Sequence, residues 1–124
     1  MDRRRAFTGT PWEPKVGYCR AIRTGSQVFV SGCAPVGATD KGPYEQARRC
    51  IQILEKSLKE LGAELRHVVR TRMFVTDISH WAEMGRAHGE AFAQHPPATS
   101  MVEVRALIEP TMLIEIEADA VIDD

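Results

Sequence analysis

The chain has 124 residues, 44% hydrophobic and 27% charged, with nine Gly and seven Pro. That is the make-up of one ordinary globular domain, residues 1–124, and it excludes a disordered or collagen-like chain. Sixteen Lys plus Arg against seventeen Asp plus Glu leave a net charge of −1, a balance that argues against a generic nucleic-acid or membrane-surface binder. No apolar run approaches the ~20 residues needed to span a bilayer.

The basic start at Arg3, Arg4 and Arg5 has no apolar stretch behind it, so no signal peptide is read there and a cytoplasmic address is expected. Residues 1–15 read as an extended N-terminal segment. Residues 18–23 and 27–32, rich in β-branched and aromatic side chains about the Thr24-Gly25-Ser26 turn, read as a β-hairpin. After a Gly- and Pro-dotted loop, Pro43 is placed to begin a helix and Gly62 to stop it. Ala47, Ile51, Leu54, Leu58 and Leu61 give that helix one apolar stripe. Glu45 with Arg49, and Glu55 with Lys59, are candidate ion pairs on its wet side.

Residues 68–76 read as a strand with Val69, Thr71, Met73 and Val75 on one face and Arg70, Arg72 and Phe74 on the other. Asp77 or Ser79 can cap a second helix, whose buried stripe would be Trp81, Met84, His88 and Ala91 or Phe92. Two long strands close the chain, residues 100–107 and 112–122. Val102, Val104 and Ala106 share a face of the first, and Ile114, Ile116, Ala118, Ala120 and Ile122 a face of the second. The order ββαβαββ gives an α+β fold, a mixed sheet with two helices on one face. The sheet's second face is long and two-signed, with Arg70, Arg72 and Arg105 facing Glu103, Glu115, Glu117 and Asp119. Such a face is either solvated or packed against copies of itself.

Cys19, Cys33 and Cys50 are odd in number and contain no Cys-x-x-Cys, which reads as three reduced thiols and not as a disulfide framework or zinc site. The four histidines (His67, His80, His88 and His95) show no metal-ligand spacing, and no metal or other cofactor is expected. His88-Gly89-Glu90 mimics half of a zinc deaminase motif but lacks the Pro-Cys-x-x-Cys half. Cys33 follows Ser31-Gly32 at a strand end, with nothing near it in sequence to lower its pKa. Glu115 and Glu117 project from one sheet face, and Glu103 is placed to join them. Nearby carboxylates split into an acid and a base if burial drives their pKa values apart; salt bridges to the face's arginines are the competing reading.

Val28-Phe29-Val30-Ser31-Gly32, Gln46, Leu61-Gly62-Ala63, Val68-Val69-Arg70-Thr71, Phe74-Val75-Thr76-Asp77, Glu90-Ala91-Phe92 and Pro97-Ala98 occur in order. Val102-Glu103-Val104 and Ile114-Glu115-Ile116-Glu117-Ala118-Asp119-Ala120 follow them. On these motifs the sequence, from about Val16 onward, resembles the Rid (YjgF, L-PSP) family. The resemblance implies a chorismate-mutase-like fold, a homotrimer with a barrel-like core, and clefts between neighbouring subunits. It also implies a small-molecule substrate or metabolite and, in one branch, hydrolysis of 2-imino acids to 2-oxo acids and ammonia.

Carried over position by position, Tyr18 matches an aromatic of the cleft wall, Ser31 and Gly32 a strand-end pair, and Glu115 the acid that orients water. The family's substrate-binding arginine, after the Pro-Ala pair, is Thr99 here. A family cysteine is Met101, and a helix asparagine is Arg86. Arg86 or Arg72 is therefore expected to bring the missing guanidinium from another direction. An imine or enamine deaminase is the leading expectation. A non-catalytic small-molecule-binding trimer is the alternative that Thr99 supports. The family's older label as a ribonuclease and translation inhibitor is a third, disfavoured by the charge and by only 6% aromatics.

Overall fold

The computed structural model describes residues 2–123. Its elements are β1 (Arg3–Ala6), α1 (Trp12–Val16), β2 (Ala21–Thr24), β3 (Gln27–Cys33), α2 (Pro43–Glu60), β4 (Val68–Val75), α3 (Trp81–Phe92), β5 (Ala98–Glu103) and β6 (Ile114–Val121), with 3-10 turns at Leu65–His67 and Ile78–His80. One mixed sheet has the order β1-β2-β3-β6-β4-β5. Only β4 and β5 are parallel neighbours; the other pairs are antiparallel. The expected ββαβαββ order runs from β2 to β6, and both long helices lie on one face of the sheet.

Alternation decides which side of each strand meets that layer. Val28 and Val30 on β3, Thr71, Met73 and Val75 on β4, and Ile114, Ile116, Ala118 and Ala120 on β6 are buried under the helices. Leu54 and Leu58 of α2 and Met84 and Phe92 of α3 close the core from the other side. Gly42 caps α2 ahead of Pro43, and Gly62 adopts φ +82° just past its end, the left-handed position that glycine fills without strain. A Cβ at Gly62 would also lie 2.8 Å from Arg23 Nη1, which donates to Leu61 O (2.8 Å). Gln46, buried on α2, accepts from Leu113 N (2.8 Å) and donates to Thr111 O (2.9 Å) and Lys41 O (3.1 Å). That one amide fixes the approach to β6, and so the height of Glu115 on the sheet.

Several expectations are corrected. The N-terminal segment is not simply extended: β1 pairs with β2, from Arg3↔Thr24 to Ala6↔Ala21, and a short helix follows. Val69 is exposed because a bulge between Val68 and Arg70 shifts the alternation, leaving Val68 in the core. Trp81 is 64% exposed, and the stripe of α3 is Met84, Ala87, His88 and Phe92. Glu45 pairs with Arg48 (3.6 Å), because Arg49 Nε is taken by Val36 O (2.7 Å); the Glu55–Lys59 pair is present at 3.5 Å.

The closing strands are shorter than expected, and β4 lies between them. The faces of β5 are also reversed. Its parallel register with β4, Met73↔Met101 and Phe74↔Val102, turns Met101 toward the core and leaves Val102 46% exposed. Among the described residues no helix is long and apolar enough to cross a membrane.

Candidate functional site

The hairpin carries the first group of side chains. Ala21 is buried opposite Val30, so Arg20 and Ser31 fall on the open face of the sheet, away from the helices. Ser31 N donates to Arg20 O (2.9 Å), and Ser31 Oγ donates to Cys19 O (2.7 Å). Between Val30 and Cys33 the β3–β6 register shifts, and this bulge presents Gly32 beneath Glu115. A Cβ on Gly32 would sit 2.7 Å from Glu115 Cδ, so only glycine lets the carboxylate lie this close to the strand.

Arg20 is 9% exposed. Its Nη1 donates to Gly32 O (2.6 Å) and contacts Cys33 Sγ (3.5 Å), and its guanidinium carbon lies 5.7 Å from the centre of the Tyr18 ring, within cation–π range. Tyr18, Ser31, Gly32 and Glu115, all singled out in the sequence, are thus brought together around Arg20, which was not. The hairpin register was the available signal. It sets Arg20 beside Ser31 on the face opposite the buried Ala21.

Burial pushes the Glu115 carboxyl above its ordinary value; the Arg20 guanidinium holds part of that rise back, and the like charge of Glu117 adds to it. A carboxyl with a raised pKa beside a fixed cation suits proton transfer to and from water. Cys33 is different. Burial pushes its thiol up to about 11, so it stays protonated and is no nucleophile at neutral pH. Beside Tyr18 lies an open depression of about 570 Å³, lined by Arg5, Phe7, Glu13, Pro14, Tyr18 and Cys19. Glu13 is buried there; hydrogen bonds from Thr8 and Gly9 overcome the cost of that burial and hold its carboxyl below the usual range.

The second group stands on the other side of the sheet. Thr99 pairs with Thr71 in the β4–β5 ladder, and its hydroxyl lies 2.6 Å from Thr71 Oγ1 and 3.2 Å from Thr71 O. Thr71 Oγ1 in turn is 2.8 Å from His88 Nε2. Burial pushes the His88 pKa down, so the imidazole is neutral at pH 7. Met101 follows Thr99 on the same side, half-buried against the core.

Neither arginine expected to replace the guanidinium joins Glu115. Arg86 lies on the outer surface of the helix layer, 3.8 Å over the Tyr44 ring and 3.9 Å from Glu90. Arg72 is on the open face, but it is engaged by Glu117 and Asp119, each at 3.3 Å. Glu103 accepts from Ile78 N (2.9 Å) and does not enter the carboxylate patch. Among the described residues no group of three or more His, Cys, Asp or Glu is placed to hold a metal ion.

The family model described as Endoribonuclease L-PSP matches residues 9–122. Rv2704 of Mycobacterium tuberculosis, a member of the YjgF/YER057c/UK114 family, superposes with a TM-score of 0.93 at 45% identity, covering 98% of this chain and 100% of its own. The 2-iminobutanoate/2-iminopropanoate deaminase of Salmonella typhimurium is 32% identical over 111 residues, 84% of this chain and 86% of its own. Escherichia coli TdcF, solved with bound serine, gives a TM-score of 0.82 at 25% identity over 96% of this chain and 94% of its own.

Proposed function

Because the chain belongs to the YjgF/L-PSP (Rid) family, we propose that it hydrolyses small reactive imines to carbonyl compounds and ammonia, in a cleft between subunits of a homotrimer. The observation that carries this reading is Glu115, half-buried over Gly32 with its pKa raised and Arg20 and Tyr18 beside it. The deaminase and the serine-bound relative support the same chemistry and the same size of ligand.

The reaction needs few groups. Water adds to the carbon of the imine protonated from solvent, C=NH₂⁺, while the Glu115 carboxylate takes one of the water's protons, giving a neutral carbinolamine. Glu115 then returns that proton to nitrogen. As the C–N bond breaks and NH₃ leaves, its carboxylate takes the hydroxyl proton while C=O forms and passes it to solvent. The sum is R₂C=NH + H₂O → R₂C=O + NH₃, with no redox change and no cofactor required. An acid that cycles in this way works best when its pKa is raised toward the operating pH.

The trimer reading is supported by where the two groups stand. Glu115, Arg20, Tyr18 and Ser31 gather on the open face about β3 and β6, the middle strands of the sheet, whereas Thr99 and Met101 lie on the helix side of β5, the strand at its edge. One copy cannot fold these onto each other. A neighbour whose β5 edge docks beside the open face of β3 and β6 closes the cleft, as the heterologous interface of a closed cyclic trimer does.

The first test is an imine-quenching assay, in which an amino-acid oxidase generates 2-imino acids from a panel of amino acids while semicarbazide traps what survives. Lower semicarbazone with the protein present is the expected result. Unchanged semicarbazone across the panel, with an active family member as control, would overturn the 2-imino-acid reading and favour the non-catalytic binding trimer, for which Thr99 in its closed hydroxyl chain is the supporting feature.

A further inference from the structure

A guanidinium in a folded protein usually has its donors matched, and one that is nine-tenths buried carries a strong electrostatic bias toward an anion. Arg20 is 9% exposed, yet its only hydrogen bonds run from Nη1, to Gly32 O and Cys33 Sγ. Among the described residues Nε and Nη2 have no acceptor, and no carboxylate comes within 4.0 Å of the group. Nor is this edge sealed: the partly or wholly buried side chains leave only Thr10 Oγ1 and His67 Nε2 both shut from solvent and unpartnered. The three remaining N–H donors thus form a planar fork that is fixed in place and open to a small ligand.

Its surroundings set the ligand's chemistry. The Tyr18 ring packs against the guanidinium, the Gly32 carbonyl holds it from behind, and Glu115 stands within electrostatic reach but outside ion-pair distance. Glu13 and Cys33 are the other titratable groups that feel its charge. Glu13 is occupied by Thr8 and Gly9, and Cys33 is neutral. No protein anion therefore fills the fork.

We propose that Arg20 is the carboxylate anchor of this site: its Nε and Nη2 bind the carboxylate of a small 2-imino or 2-oxo acid in two parallel hydrogen bonds, so that the adjacent C=N or C=O carbon lies beneath Glu115. The anchor thus comes from the hairpin. Arg72 is spent on Glu117 and Asp119, Arg86 lies across the helix layer, and Thr99 carries no charge. The part of this that concerns turnover rests on the hydrolase reading; the part that concerns binding does not.

Pyruvate is the probe, with methyl pyruvate as its uncharged counterpart, titrated into the full-length protein while the arginine Nε–H resonances are followed. The expected result is a saturable shift of Arg20 Nε–H with pyruvate and none with the ester. Arg20→Met should weaken pyruvate binding roughly tenfold to a hundredfold, and Arg20→Lys, which keeps the charge but loses the fork, by less. Pyruvate that does not bind, or that binds without moving the Arg20 resonance, overturns the proposal, and so does parental affinity in Arg20→Met. If the Met variant does not fold, the parental spectrum and the Lys variant decide. Run beside these, the quenching assay separates the two readings. Pyruvate held at Arg20 without quenching retains the anchor and removes the hydrolase, whereas quenching of 2-imino acids at unchanged KM in Arg20→Met does the reverse.

Discussion

Two titratable groups, His88 buried and Glu115 half-buried, pull stability in opposite directions with pH. His88 is kept neutral by burial, with Thr71 Oγ1 against Nε2. The unfolded chain takes up a proton on this imidazole near its ordinary 6.5, while the folded chain resists until lower pH. Below that value the unfolded state binds more protons, and stability falls as the solution is acidified. Replacing Thr71 with Val removes the hydroxyl shared by His88 and Thr99 and leaves a buried imidazole nitrogen unpaired. The expected loss is about 1–3 kcal/mol in urea unfolding at pH 7, and Thr71→Ser should recover most of it.

Glu115 behaves the other way. Its pKa is raised, by burial first, so the folded chain holds the proton to higher pH than the unfolded chain does. The cost of keeping it charged is absent below its ordinary value of 4.5 and complete once pH has risen through the folded pKa. Glu115→Gln is therefore expected to melt at a higher temperature than the parent at pH 7 to 8, the gap closing as pH falls toward 4.5. The same change should lower imine hydrolysis by roughly 10²–10⁴ if Glu115 moves the proton. A Gln variant that is less stable than the parent at pH 8 would contradict the burial argument, whatever its activity.

At the level of elements, the bulge of β3 is the part that makes the site. Gly32 lies where a side chain would collide with the Glu115 carboxyl, so Gly32→Ala must push Glu115 away or shift the strand. A cost of about 1–3 kcal/mol is expected, with hydrolysis falling further than stability alone explains; chemical denaturation and the quenching assay measure the two effects separately. Helix α2 was legible because Pro43, Gly62 and a single apolar stripe all mark it. Strand β1 was not, since Ala6 is its one buried side chain and its pairing with β2 is carried by the backbone. The reversal of β5 has a similar cause. Met101 and Val102 are both apolar, so alternation offers two equivalent faces, and only the parallel register with β4 chooses between them. The bulge at Val68 is likewise set by cross-strand pairing, which periodicity along one strand does not record.

For the whole molecule, the two-signed face read from the sequence is present on β4 and β6, with Arg72 held between Glu117 and Asp119, but without Glu103, which turns to Ile78. It also carries exposed apolar side chains at Phe29, Val102 and Val121, the mixture that an interface between copies uses. Tyr18, Ser31, Gly32 and Glu115 were legible as a candidate site from family motifs, whereas Arg20 depends on knowing which strand faces which. The proposed trimer makes a sharp demand on function. If each cleft takes Glu115 from one copy and Met101 from its neighbour, two inactive proteins should rescue each other. Glu115→Gln removes the acid, and Met101→Glu places an unwanted carboxylate in the opposite wall. Mixed from the unfolded state in equal amounts, the two variants should regain about a quarter of the parental activity, the fraction of clefts that draw both walls from unaltered sequence. Sedimentation of the mixture gives the assembly independently. Recovery in a trimer supports a cleft shared between copies, whereas no recovery in a properly assembled trimer would mean that Met101 and Glu115 do not serve the same cleft from different chains.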